Sequence, residues 1–219
     1  PDTLVITSEQ FVLPHNLDAL FESIMEQLPP SKSIACILDA IDTVTAKLAL
    51  ASYAREHGIK HVVIASKTGY TTDIFMDTFA KAGVDVHFVN VTHCYGDLGP
   101  GQCEMTPEKR RELTDKGVTV ITATHALSGA ERGIVNKYGG VTPAILMADT
   151  LKMLGQGMKV GVEISLMAMD NGAVPYGEEI LAVGGCGHGA DYVISLIPGH
   201  SNNLFETKVI DIICKPRIS

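Results

Sequence analysis

Residues 61–80 read HVVIASKTGYTTDIFMDTFA, and their interpretation decides the fold. Val62, Val63, Ile64 and Ala65 form a short apolar run, the pattern of a strand buried on both faces. Ile74, Phe75, Thr78 and Phe79 then recur at helical spacing, so a strand runs directly into a helix. Between them, Ser66-Lys67-Thr68-Gly69-Tyr70-Thr71-Thr72 crowds hydroxyls, one lysine and one glycine into the turn where a helix exposes its first N–H groups. Free amides, the positive end of the helix dipole, short hydroxyl donors and a close-approaching backbone suit a phosphate. The competing reading is ordinary N-capping, which also places Ser or Thr in such turns. Neither GxxxxGK[ST] nor GxGxxG is present, so a P-loop for ATP is not supported.

Working outward, the same alternation recurs. Residues 33–38 (SIACIL) read as a first strand, followed by a helix from Asp42 or Thr43 to His57 that Gly58 stops. After Gly83 comes a strand over 84–92, then a Gly- and Pro-rich loop, HCYGDLGPGQCEMT (93–106), whose length suggests a functional lid or a disordered segment. Thr106-Pro107 opens a helix that Gly117 closes, and 118–123 (VTVITA) is the next strand. The turn at 124–132 again joins a strand to a helix, and Thr142-Pro143 starts another helix ending at Gly155. Residues 158–169 (MKVGVEISLMAM) read as the most apolar strand, with Glu163 at its middle expected to be paired inside the core rather than catalytic. Strands at 180–183, 192–197 and 207–214 complete the chain, the last two as an edge hairpin.

Residues 1–33 stand apart as an N-terminal segment before a single α/β domain at 34–219. Asn16 can cap a helix carrying Leu17, Leu20, Phe21, Ile24, Met25 and Leu28 on one face, stopped by Pro29-Pro30. That face is buried against the chain's own sheet or a second copy, so a homo-oligomer is left open.

At 219 residues the chain is long enough for one sizeable core. A net charge of -8 leaves no basic field for nucleic acid. Five scattered cysteines without a CxxC pair suggest reduced thiols in the cytosol. No apolar run reaches membrane-spanning length, and the first residues lack a signal-peptide pattern.

Ligands of open α/β sheets lie outside the carboxyl ends of the parallel strands. On this reading the turns at 66–72, 92–95, 124–129, 170–172 and 198–203 gather at one rim with His93, His125, His200 and Asp170. No metal centre is expected, because these histidines lack HxH or HxxxH spacing. Ser128 is not a nucleophile elbow, since GxSxG is missing, and no catalytic residue is assigned.

The blocks HVVIASKTGYT, THALSGAER, VEISLMAMDNGAVP, GADYVI and PGHSNNLFE followed by IICKPR resemble the stand-alone pyruvate kinase α/β-domain-like proteins. The stretch from Asp42 to Phe75 resembles the phosphate-loop unit of the pyruvate kinase carboxyl-terminal domain itself. This resemblance implies a three-layer α/β/α sandwich with a mostly parallel sheet and a C-terminal antiparallel hairpin. It also implies flavin mononucleotide as cofactor, with Ser66, Lys67, Thr68, Gly69, Tyr70 and Thr71 on the phosphate. His93, His125, Ser128 and Gly129, joined by Asp170 and Asn203, would meet the ring and ribityl chain. The barrel, catalytic lysine and metal carboxylates of pyruvate kinase are not found, so phosphoryl transfer is not implied. Two functions follow: a flavin-dependent redox protein, or a non-catalytic sensor of a phosphorylated metabolite acting on a partner.

Overall fold

The computed structural model describes residues 36–38, 43–187 and 190–216; the expected helix at 17–28 and the whole 1–33 segment lie outside the described residues. Seven strands are defined: β1 (Cys36–Leu38), β2 (His61–Ala65), β3 (His87–Val91), β4 (Thr119–Ile121), β5 (Ile180–Gly184), β6 (Tyr192–Ile197) and β7 (Lys208–Pro216). They form one sheet in the order β1-β7-β6-β5-β2-β3-β4. β5, β2, β3 and β4 run parallel, whereas β6 is antiparallel to both of its neighbours. The expected edge hairpin is corrected in one respect: β1 pairs with β7 at residues 214–216, so β7 lies one strand inside the edge.

Among the described residues, six α-helices flank the sheet: α1 (Thr43–His57), α2 (Tyr70–Lys81), α3 (Pro107–Asp115), α4 (Gly129–Tyr138), α5 (Pro143–Lys152) and α6 (Gln156–Asp170). Alternate strand residues divide the core in two. Val62, Ile64, Leu181, Val183 and Val193 pack against Leu50 of α1, Phe75 and Phe79 of α2 and Leu113 of α3. Val63, Ala182, Ile194 and Leu196 face the opposite layer, where Ala148 of α5 and Met158 and Leu166 of α6 lie. The period-two alternation of each strand is thus satisfied on both faces, which gives the three-layer α/β/α sandwich.

The main correction concerns residues 158–169, which are helical rather than extended. α6 occupies the middle of its layer, contacting β2, β3, β5 and β6 as well as α5. Its residues from Gly157 to Met169 are buried apart from Val160. A helix enclosed all round is apolar all round, so it shows no amphipathic stripe to tell it from a buried strand. Length was the discriminating signal, since twelve continuous residues exceed the usual buried strand.

α6 comes unusually close to the sheet through glycine. A Cβ on Gly157 would stand 2.2 Å from Tyr192 Cβ, and one on Gly184 2.4 Å from the Gly157 carbonyl oxygen. Gly157→Ala is therefore expected to cost about 3 kcal/mol in chemical denaturation, because the obstruction is the first atom of a buried side chain.

At the start of β2 and β3, His61 lies in register with His87, their rings edge to face at 5.7 Å. Burial, and after it the neighbouring His87, hold His61 below the ordinary imidazole value, against an opposing pull from Glu178. Its Nδ1 is buried without a hydrogen-bond partner among the described residues. With the folded value depressed, the unfolded chain binds the proton more readily. The stability this contributes is complete above the unfolded value of about 6.5 and is lost as pH falls through the folded one. His61→Asn should accordingly lose less stability than the parent chain between about pH 7 and pH 5, read from urea midpoints.

Candidate functional site

The parallel strands β2, β3, β4 and β5 end at one rim, and a cleft of about 280 Å³ opens there. The β2–α2 turn forms one wall. Its shape is set by Asn90 of β3, a fully buried amide whose Nδ2 donates to the Ser66 carbonyl at 2.9 Å. Asn90 Oδ1 in turn accepts from the Thr72 hydroxyl at 2.6 Å, and the Ser66 amide donates to the Val91 carbonyl at 3.0 Å. These bonds tie the turn to the neighbouring strand before any ligand arrives.

Gly69 caps α2 in the left-handed region, at φ 85°, without a side-chain capping bond. A Cβ there would meet Leu113 Cδ1 at 2.9 Å, so both conformation and space call for glycine. The amino end of α2 is consequently not closed by a capping side chain. Ser66 and Lys67 line the cleft. Thr68 and Tyr70 are exposed and Thr71 is buried, and these three, with Gly69, lie beside the lining rather than in it.

His93, following β3, and His125, following β4, both line the cleft with their rings edge to face at 5.7 Å. Burial lowers the affinity of His125 for a proton, and the Glu163 carboxylate offsets this in part. Ser128 and Gly129 share the His125 turn and start α4 but are not part of the lining.

The floor comes from α6. Lys159 and Glu163, one helical turn apart, form a buried ion pair, and Glu163 Oε1 also accepts from the Leu127 amide at 2.9 Å. The expected internal pairing of Glu163 is thus observed, but inside a helix, and the pair faces the cleft rather than a sealed core. Arg132 of α4 adds a further cation to the lining.

The expected single rim is not formed. β6 runs against β5, so the 198–203 loop and the end of α6 meet at the opposite end of the sheet. There Asp170 Oδ1 accepts from the Ser201 amide at 3.1 Å and pairs with His200 Nδ1 at 3.1 Å. Asn203 Oδ1 accepts from the His200 amide at 2.7 Å. Asp170, His200 and Asn203 therefore build a local turn away from the cleft.

Lys159, Arg132 and Asn90 escaped the sequence reading. An i, i+4 Lys–Glu pair was the available signal for the first, visible once 156–170 is taken as a helix. No helix among the described residues is long and apolar enough to cross a membrane. Among the described residues, Cys94, Cys103 and Cys186 are free thiols.

No protein-family model matches the chain. Among solved structures it has a weak likeness to a pyruvate kinase from Cryptosporidium parvum, with a TM-score of 0.35 and 13% identity over 89% of this chain and 26% of that one. The Cryptosporidium parvum pyruvate kinase in complex with ADP is matched equally, at TM-score 0.35 and 13% identity over 88% of this chain and 26% of that one. The chain thus spans about a quarter of the length of these enzymes.

Removing the Glu163 carboxylate would leave the Lys159 ammonium and the Leu127 amide without their buried acceptor. Glu163→Ala should lower stability by about 3 kcal/mol in urea denaturation.

Proposed function

We propose that the protein binds a phosphorylated small molecule in the cleft at the carboxyl ends of β2–β5, with flavin mononucleotide as the candidate ligand. The supporting observation is the convergence of Ser66, Lys67, Arg132 and Lys159 beside a helix amino end that carries no side-chain cap among the described residues. Lys159 is paired with Glu163, so in a chain of net charge -8 it is Lys67 and Arg132 that make the cleft locally receptive to a dianion, with the Asp97 carboxylate on the same lining. Ser66 and Lys67 hold the phosphate, and Thr68, Gly69, Tyr70 and Thr71 lie alongside.

His93 and His125 face the remainder of the ligand. With flavin bound, the cofactor supplies the redox chemistry, and His125 is the group of this chain suited to donate a hydrogen bond to the ring. The 280 Å³ cavity accommodates the phosphate and sugar portion, with the ring extending toward the 93–106 loop. Asp170 and Asn203, at the other end of the sheet, take no part in this arrangement.

Titration with flavin mononucleotide and riboflavin tests the reading. Lys67→Ala should weaken the phosphorylated flavin about tenfold or more while changing riboflavin little, as expected for a lost charge-assisted contact. Equal losses for both ligands would refute the phosphate assignment. Failure to bind either flavin, together with binding of sugar phosphates, would favour a metabolite sensor instead.

A further inference from the structure

The loop at 93–106, for which the sequence suggests a lid or a disordered segment, is folded back on itself. The Gly96 amide donates to the Gln102 carbonyl at 2.8 Å, the Gln102 amide to the Gly99 carbonyl at 2.9 Å, and buried Met105 anchors the return to the core. Gly96 and Gly101 take φ values of 95° and 71°, which allow this reversal. The result brings Glu104 back onto His93, eleven residues earlier.

Three donor atoms meet there. His93 Nδ1 lies 3.0 Å from Glu104 Oε1 and 3.2 Å from Asp97 Oδ2, and all three atoms fall within 4.8 Å of one another. A ring nitrogen carries at most one hydrogen, so it cannot fully serve two carboxylates. The second oxygen of Glu104, on a side chain 15% exposed, is buried without a hydrogen-bond partner among the described residues. Two carboxylates, one of them with its second oxygen also unmet, converge on one imidazole nitrogen and leave a deficit of positive charge there.

We propose that His93, Asp97 and Glu104 form a binding site for a divalent first-row transition-metal ion of the zinc or manganese type. The 3.0 and 3.2 Å separations from His93 Nδ1 suit ligands about 2.1 Å from a shared ion, which stand roughly 3 Å apart at neighbouring coordination positions. An imidazole with two carboxylates and no thiolate favours this class over calcium or magnesium, which prefer all-oxygen shells. Three protein ligands leave coordination positions open, as at catalytic rather than structural sites. His93 and Asp97 both line the cleft, so those positions face whatever ligand it holds. The ion is held by the loop alone and does not depend on the phosphate reading.

The test uses the full chain, stripped with chelator and dialysed against Zn²⁺ or Mn²⁺ alone, with bound metal measured by elemental analysis. One ion per chain is expected. His93→Ala and Glu104→Gln should each weaken binding by at least about tenfold, as should Asp97→Asn, which alters an exposed residue and leaves the core untouched. Lys67→Ala should leave metal affinity unchanged, which separates this site from the phosphate wall. Substoichiometric uptake by the parent chain, or full affinity retained in Asp97→Asn and Glu104→Gln, would overturn the proposal. Loss of flavin binding with metal binding preserved would instead count against the proposed function alone.

Discussion

The close contact of α6 with β5 and β6 governs the architecture. Gly157, Gly161 and Gly184 remove the side chains that would otherwise separate helix from sheet, so backbone approaches backbone. That contact seats α6 across the middle of one face of the sheet and makes it the floor of the cleft. Lys159 and Glu163 are carried into position by the same approach, and their mutual pairing is what makes two buried charges tolerable. The Leu127 amide, held by Glu163, then ties the β4–α4 turn to this floor.

Opposite the floor, Asn90 performs a comparable task with hydrogen bonds. A fully buried amide must find partners, and here both of its ends are satisfied by the turn carrying Ser66 and Thr72. The wall that presents Ser66 and Lys67 is therefore set by the strand beside it. Rigid wall and rigid floor leave the 93–106 loop as the irregular side of the cleft, where chain reversal gathers ionisable groups. Within a single opening, Lys67 and Arg132 join the paired Lys159 and Glu163 of the floor and Asp97 of the loop.

Much of this was legible in the chain itself. The apolar run at 62–65, the glycine at 69 and the helical spacing of Phe75 and Phe79 were sufficient to place a strand, a turn and a helix. Ser66, Lys67, His93 and His125 follow such strands directly, and parallel pairing brings them together. The reading broke down at 158–169 because complete burial erases periodicity in helix and strand alike. One consequence was the hidden pair: along a strand, Lys159 and Glu163 would share a face but stand about 13 Å apart, too far to meet. Another was the misplacement of Asp170, whose end of the sheet depends on whether the preceding segment is a helix.

The amino-acid sequence by itself determined the alternation of strands and helices, the parallel core and the polar turns after β2, β3 and β4, because those follow from local periodicity and turn chemistry. Only the tertiary structure decided that α6 is a helix, that β6 reverses direction and carries His200 and Asn203 away, and that Glu104 returns to His93. Each of those depends on contacts between residues distant along the chain, where glycine clearance, charge pairing and strand direction act together and no short stretch records the outcome.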